Sequence, residues 1–244
     1  MKGKNYFVIS NEDESIIKCE NQTQKLEFNN LDLNALEYGG NISSFIDFEN
    51  VLSKALRSLQ FSSWPWNKST LIFLLPSNCS EVVKRAYFDS ADYCDSKMTY
   101  LCTEYQALIH STSISTYKST NLLILNFDHS KFDITYSTQS DDPVIRSYNI
   151  ASSFLKSITN PNTGLNLFLS FIDLEIKAIC SYLIPQKVII LGYNKALSES
   201  TYDFFVKNKI ANPILLPNKI QILMEGMEIV AKTNPDVLIR RVSI

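Results

Sequence analysis

"LIFLLPSNCSEVVKRAYFDSADYCDSKMTYLCTEYQALIHS" occupies Leu71–Ser111. With Thr70 in front, it opens on a fully apolar run to Pro76, the pattern of a strand buried on both faces. Asn78 stands three residues before Glu81, which is capping-box spacing with Asn as the cap. The helix "EVVKRAYFDSADYCD" follows. "MTYLC" reads as a second short strand and "EYQALIHSTSI" as a second helix. Strand, helix, strand and helix in this order predict an α/β fold.

The pattern extends both ways. Upstream, "YFVIS", "SIIKCE" and "KLEF" read as a three-stranded meander. "NNLDLNALEYGGN" reads as a loop and Phe48 to Phe61 as an amphipathic helix with Val51, Leu52, Ala55, Leu56 and Leu59 on one face. Downstream, "LLILNFDHSKFDITY" (Leu122–Tyr136) predicts a hairpin, and "PVIRSYNI" offers a third strand. Helices are expected at Ala151–Ser157 and Leu165–Ile184. Then come strand "KVIILG", helix "LSESTYDFFVKNKI", strand "NPILLP", helix "NKIQILMEGMEIVAK" and the closing segment "PDVLIRRVSI". A meander followed by helix, strand and helix occurs once in each half, which predicts a duplicated mixed-sheet unit.

Composition narrows the function classes. Of 244 residues, 45% are apolar and 20% charged, and the net charge is -2, so there is no broad basic field for nucleic acid. Six glycines stand where average usage gives roughly 17, too few for several phosphate-cradling loops. Cys19, Cys79, Cys94, Cys102 and Cys180 form no C-x-x-C pair; they read as reduced, packed thiols, and no metal site is expected at them or at His110 and His129. "MKGKNYFVIS" runs directly into a strand without a signal-type apolar segment, and no 18-residue window is free of charge, so a cytoplasmic location is expected.

The Leu71–Ser111 stretch resembles the bacterial actin family, MreB. That family carries a V-P-S-G-type turn, a helix close to T-E-V-E-K-R-A-x-x-D-S-A, and then Y-L-I-E-E-P-x-A-A-A. Here Pro76, Ser77, Glu81, Val82, Lys84, Arg85, Ala86, Asp89, Ser90, Ala91, Tyr100, Leu101, Glu104 and Ala107 match in order and without a gap. "GNISSFIDFENVLSKAL" is similar to the family's G-V-I-A-D-F-D-x-T-E-x-M-L, and "GMEIVAKTNPDVLIRRVSI" to its closing helix and tail. The resemblance implies a two-lobed actin-like fold, with one core subdomain from residues 1–117 and 233–244 and the other from 118–232. The spans Phe28–Asn41 and Ile150–Lys187 are short for the family's two outer subdomains, so a form reduced to the two core subdomains is expected.

The resemblance also implies where a nucleotide would sit, and there this chain departs from the pattern. The family hairpin D-I-G-G-G-T-T-E wraps phosphates with bare glycine backbone. Here Asn126 replaces its aspartate, and Asp128, His129 and Ser130 replace the glycines. Side chains keep backbone N–H groups away from phosphate. The first phosphate hairpin, D-L-G-T-A-N-T, aligns with "ISNEDES", placing Asn11, Glu12, Asp13 and Glu14 there. Carboxylates facing a triphosphate repel it. The adenosine motif T-G-G-G-A aligns with "LGYNKA": Gly192 survives, and Tyr193 and Asn194 fill the rest. Glu104 still matches the water-orienting glutamate. With three loops altered together, the resemblance implies a pseudo-ATPase with no bound cofactor and no catalytic residue.

Two further stretches bear on partners. "FSSWPW" holds Phe61, Trp64 and Trp66, with Lys54, Arg57 and Lys68 near it. It is similar to a family loop that dips into the inner face of the cell membrane, where Trp rings favour the headgroup boundary; packing on the protein's own core is the alternative reading. "LNLFLSFIDLEIKAICSYLI" is apolar around most of its circumference, with one narrow polar stripe at Asn166, Ser170, Asp173, Lys177 and Ser181. It reads as a buried helix with a spare apolar face for self-association. The expectation is a non-catalytic bacterial cytoskeletal protein with a role in cell shape. It would assemble with itself or with a conventional MreB-type filament, with membrane lipid as a further partner. The rival readings are an FtsA- or PilM-like adaptor for a partner peptide and a weak ATP-binding actin-like ATPase.

Overall fold

The computed structural model describes residues 4–10, 15–26, 36–37, 41–42, 45–61, 69–96, 98–128, 131–138, 142–149, 164–180, 184–192, 194–233 and 235–242. The chain divides into two compact units, Met1–Thr112 with Ile222–Ile244, and Ser113–Gln221.

The first unit starts with a meander, β1 (Asn5–Ser10), β2 (Ser15–Cys19) and β3 (Gln22–Lys25). β3 begins three residues earlier than "KLEF", because Cys19 pairs with Gln22 across a two-residue turn at Glu20 and Asn21. Glu20 takes a positive φ of 54° to make that turn. A small ladder joins β4 (Leu36–Glu37) and β5 (Asn41–Ile42). Then come α1 (Phe45–Ser58), β6 (Thr70–Leu75), α2 (Glu81–Tyr93), β7 (Met98–Thr103), α3 (Glu104–His110) and the short α4 (Thr112–Ser115), which belongs to the second unit from Ser113 on. β6 lies between β1 and β7, parallel to both, and every one of its residues is buried. Its odd and even side chains face different layers, which is why the sequence shows no alternation. On one face, Phe73 and Tyr87 pack at 5.2 Å and Phe48 meets Tyr87 edge-on at 5.7 Å.

α2 is capped by Ser80, whose hydroxyl accepts from the Val83 N–H at 3.3 Å. The expected cap, Asn78, stands too early, because the cap must directly precede the first helical residue and that residue is Glu81. The expected helix Glu104–Ile114 is two pieces. Ser111 interrupts it in extended backbone, and its hydroxyl donates to Leu108 O at 2.7 Å.

The second unit repeats the plan with β8 (Leu122–Phe127), β9 (Lys131–Ser137) and β10 (Val144–Asn149), then α5 (Gly164–Ile179), β11 (Lys187–Gly192), α6 (Lys195–Lys207) and β12 (Pro213–Leu215). The expected helix Ala151–Ser157 lies outside the described residues. The strand order β10-β9-β8-β11-β12 matches β3-β2-β1-β6-β7 of the first unit, which β13 (Ile239–Val242) extends by one antiparallel strand. Two copies of a meander-plus-parallel-strand sheet therefore confirm the duplication.

The last helix, α7 (Lys219–Thr233), begins in the second unit and from Ile222 onward lies in the first. Glu228 pairs with Lys18 at 2.5 Å, and Glu225 accepts from Thr112 Oγ1 at 2.6 Å. Gly226 lies directly against α3: a Cβ there would sit 1.7 Å from the carbonyl oxygen of Ala107.

Candidate functional site

The hairpin β8–β9 has two unlike faces because strand residues alternate. One face sends Leu123, Leu125, Phe127, Phe132, Ile134 and Tyr136 into the core of the second unit. There Phe132 stacks on Tyr148 at 4.8 Å and meets Phe168 edge-on at 5.2 Å. The other face carries Asn126 and, along β9, Lys131, Asp133, Thr135 and Ser137, all buried. A β9 strand whose polar alternate residues are buried is unusual, since each polar group out of water needs a partner.

The partner at the turn is Lys219, the first residue of α7. Its Nζ donates to Asp128 Oδ1 at 2.6 Å, and its side chain is 0% exposed. Lys131 Nζ lies 4.0 Å from Asp128 Oδ2 and 3.5 Å from Asp133 Oδ2. The Asp128 N–H donates to Lys131 O at 2.9 Å, closing the turn. Asn126 and Asp133 are register partners across the two strands. Each keeps one buried oxygen, Oδ1, that accepts no hydrogen bond among the described residues.

Of the other residues singled out in the sequence, Gly192 ends β11 beside Phe127. Its φ is +149°, and a Cβ there would lie 1.9 Å from Phe127 O, so only glycine fits. Asn194 caps α6, accepting from the Leu197 N–H at 3.1 Å through its side chain. This position therefore serves a helix end. Glu104 is buried in the first turn of α3, whose cap Thr103 forms a capping box with Gln106. Ser77 accepts from the Tyr105 N–H at 2.9 Å and ties the turn after β6 to the same helix. Asn11, Glu12, Asp13, His129, Tyr193, Trp64 and Trp66 lie outside the described residues. Phe61 is half-buried, edge-on to Tyr6 at 5.0 Å, so its ring turns toward the core of the first unit. Sequence reasoning missed Lys131 and Lys219. A lysine at the start of a helix carries no signal of burial, and Asp128 and Lys219 are 91 positions apart.

Among the described residues no cluster of His, Cys, Asp and Glu suits a metal ion, and no helix is long and apolar enough to cross a membrane. His110 Nδ1 lies 2.8 Å from Gln106 O within its own helix. The cysteines are free. Burial pushes the thiols of Cys94 and Cys102 up to about 12 and that of Cys180 up to about 11. Thiolate is the reactive form, so it becomes abundant only as pH climbs toward these values. Labelling of native protein with a disulfide reagent at pH 8, mapped by mass spectrometry, is expected to leave these three largely unmodified and to reach them after denaturation. Rapid modification of any one in the native protein would contradict its packed environment.

No known family profile matches the sequence, and no curated protein matches it. Solved structures do. MreB5 of Spiroplasma citri, bound to AMPPNP, aligns over 97% of this chain and 98% of its own with a TM-score of 0.67 and 10% identity. MamK in a double helical filament aligns over 95% and 100%, with a TM-score of 0.67 and 10% identity. The ethanolamine utilization protein EutJ from Carboxydothermus hydrogenoformans aligns over 94% and 90%, with a TM-score of 0.58 and 9% identity. Alignment with these structures across nearly the whole chain gives this protein the actin-like ATPase fold, with its two sheets of the same strand order.

Proposed function

We propose that the protein is a non-catalytic member of the actin-like fold that acts by assembling, with itself or with a conventional MreB-type filament, without a nucleotide cycle. The observation that carries this reading is the β8–β9 turn. Where the resemblance implies bare glycine backbone around phosphate, Asp128 holds a buried carboxylate locked to Lys219. A phosphate brought to that turn finds the place already taken by a side-chain carboxylate paired with Lys219 and faced by Lys131. Neither ATP hydrolysis nor a bound cofactor belongs to this reading.

Assembly has a candidate surface. α5 buries Phe168, Leu169, Ile172 and Ile176 but leaves Leu167 and Leu174 65% and 64% exposed, with Phe171 partly exposed between them. These three share one stripe at spacings of four and three. MreB5 and MamK were solved with a nucleotide analogue and as a filament, respectively; this protein is proposed to share the assembly and not the nucleotide. A peripheral membrane contact through Trp64 and Trp66 is part of the proposal, as is a role in cell shape.

Pelleting with and without magnesium ATP is expected to give equal sedimentation, and millimolar ATP is expected to leave the melting temperature unchanged. Ligand at 100 times its dissociation constant would stabilise by about 2.7 kcal/mol, an easily measured shift. Such a shift would overturn the nucleotide-free reading. Leu167→Asp with Leu174→Asp is expected to abolish pelleting while preserving the fold. A wild type that stays monomeric alone and with an MreB-type filament would favour the adaptor reading instead. Co-sedimentation with anionic vesicles, present in the wild type and lost in Trp64→Ser with Trp66→Ser, tests the membrane contact.

A further inference from the structure

Lys131 and Lys219 bring two ammonium groups to one carboxylate inside the second unit. Each oxygen of Asp128 faces a different lysine: Oδ1 lies 2.6 Å from Lys219 Nζ, and Oδ2 lies 4.0 Å from Lys131 Nζ. Both lysines are at least nine-tenths buried, as is Asp128. Lys131 starts β9, pairs with Asn149 of β10 and takes its second carboxylate, Asp133, at 3.5 Å. Lys219 starts α7. Asp128 is held by its own backbone, which donates to Lys131 O. The ammonium groups therefore have a position set by strand and helix, and the carboxylate between them is carried on a short tether of one methylene.

Lysine ammonium groups converging on a point out of water are the chemistry of an oxyanion site. We propose that Asp128 is a tethered anion filling a two-lysine site, and that Lys131 and Lys219, once that carboxylate is removed, take a small carboxylate ion from solution in its place. This rests on the nucleotide-free reading above and deepens it: a hairpin that carries its own anion needs no external one to hold the turn and the start of α7 together. Truncating Asp128 to glycine vacates a space the size of its carboxymethyl group, which formate or acetate matches in charge and shape.

The experiment compares melting temperatures of the full-length wild type and Asp128→Gly in sodium formate and in sodium chloride at equal ionic strength. Removing one partner of a buried ion pair is strongly destabilising, and the variant is expected to melt about 6–20 °C lower in chloride. Formate is expected to restore at least half of that loss in a saturable way, to leave the wild type unmoved, and to have no effect on Asp128→Gly with Lys219→Met. Equal responses of wild type and variant to formate, or a variant as stable as the wild type, would overturn the proposal. Should Asp128→Gly not fold, Asp128→Asn, Lys219→Met and their combination decide it. A tethered ion pair predicts that the double variant is much more stable than the summed single losses imply, and simple additivity would reject it. Failed rescue beside nucleotide-independent pelleting sinks the tethered anion alone. A wild-type ATP shift beside successful rescue sinks the nucleotide-free reading alone.

Discussion

Gly226→Ala is expected to lower the melting temperature by roughly 6–12 °C, the equivalent of about 3 kcal/mol or more. Two effects of opposite sign compete at this position. Alanine in a helix interior is favoured over glycine by about 0.8–1.0 kcal/mol, so on propensity alone the change should stabilise α7. Against that stands the packing: the added Cβ would lie 1.7 Å from the Ala107 carbonyl oxygen and 2.5 Å from its carbon. Those atoms belong to the backbone of α3 and cannot rotate away as a side-chain tip could. Relief requires α7 to lift from α3. The contacts of Glu225 with Thr112 and of Glu228 with Lys18, on the same helix, would then be strained. Sterics should win by a wide margin. A thermal melt that rises with the substitution would mean that α7 does not rest on α3.

The second large effect is expected from Phe132→Ala, at about 3–5 kcal/mol. Phe132 is fully buried at the centre of an aromatic group: Phe127 stacks on it at 5.8 Å and Tyr148 at 4.8 Å, while Phe168 and Phe171 meet it edge-on at 5.2 and 6.2 Å. Removing the ring leaves a cavity bounded by β8, β10 and α5. Neighbouring rings are rigid and fill such a space poorly. The loss should also loosen the link between β10 and α5, where Glu175 accepts from Arg146 at 2.8 Å and from the Tyr148 hydroxyl. Denaturant titration would register it as a lower midpoint. A midpoint within error of the wild type would show that the site collapses freely. Phe132 differs from Gly226 in its reach, since it acts on the hairpin face opposite the charged one and so tests whether the core or the ion cluster holds the turn.

Much of this was legible in the chain itself. The buried strands announce themselves by the unbroken apolar runs Leu71–Leu75, Leu122–Leu125 and Val188–Leu191, because a central strand buries both faces and needs no polar alternation. Their spacing from helices of amphipathic period fixes the α/β class. The hairpin Leu122–Tyr136 was readable because Phe132, Ile134 and Tyr136 alternate with polar residues. The residues alternating with them, Lys131, Asp133 and Thr135, are polar, a pattern that ordinarily faces water, yet all three are buried. Burial depends on what covers a surface, and the cover can come from distant chain. Lys219 reaches Asp128 across 91 positions, and no local pattern encodes that distance. The cap of α2 shows the same limit at short range. Asn78 and Ser80 both suit a helix start by chemistry, and only the path of the chain out of Pro76 puts Ser80 in the capping position. Sequence determined which segments become strands and helices, because apolar period is a local property. Tertiary structure decided which of their polar groups leave water, because desolvation is set by neighbours that the sequence does not adjoin.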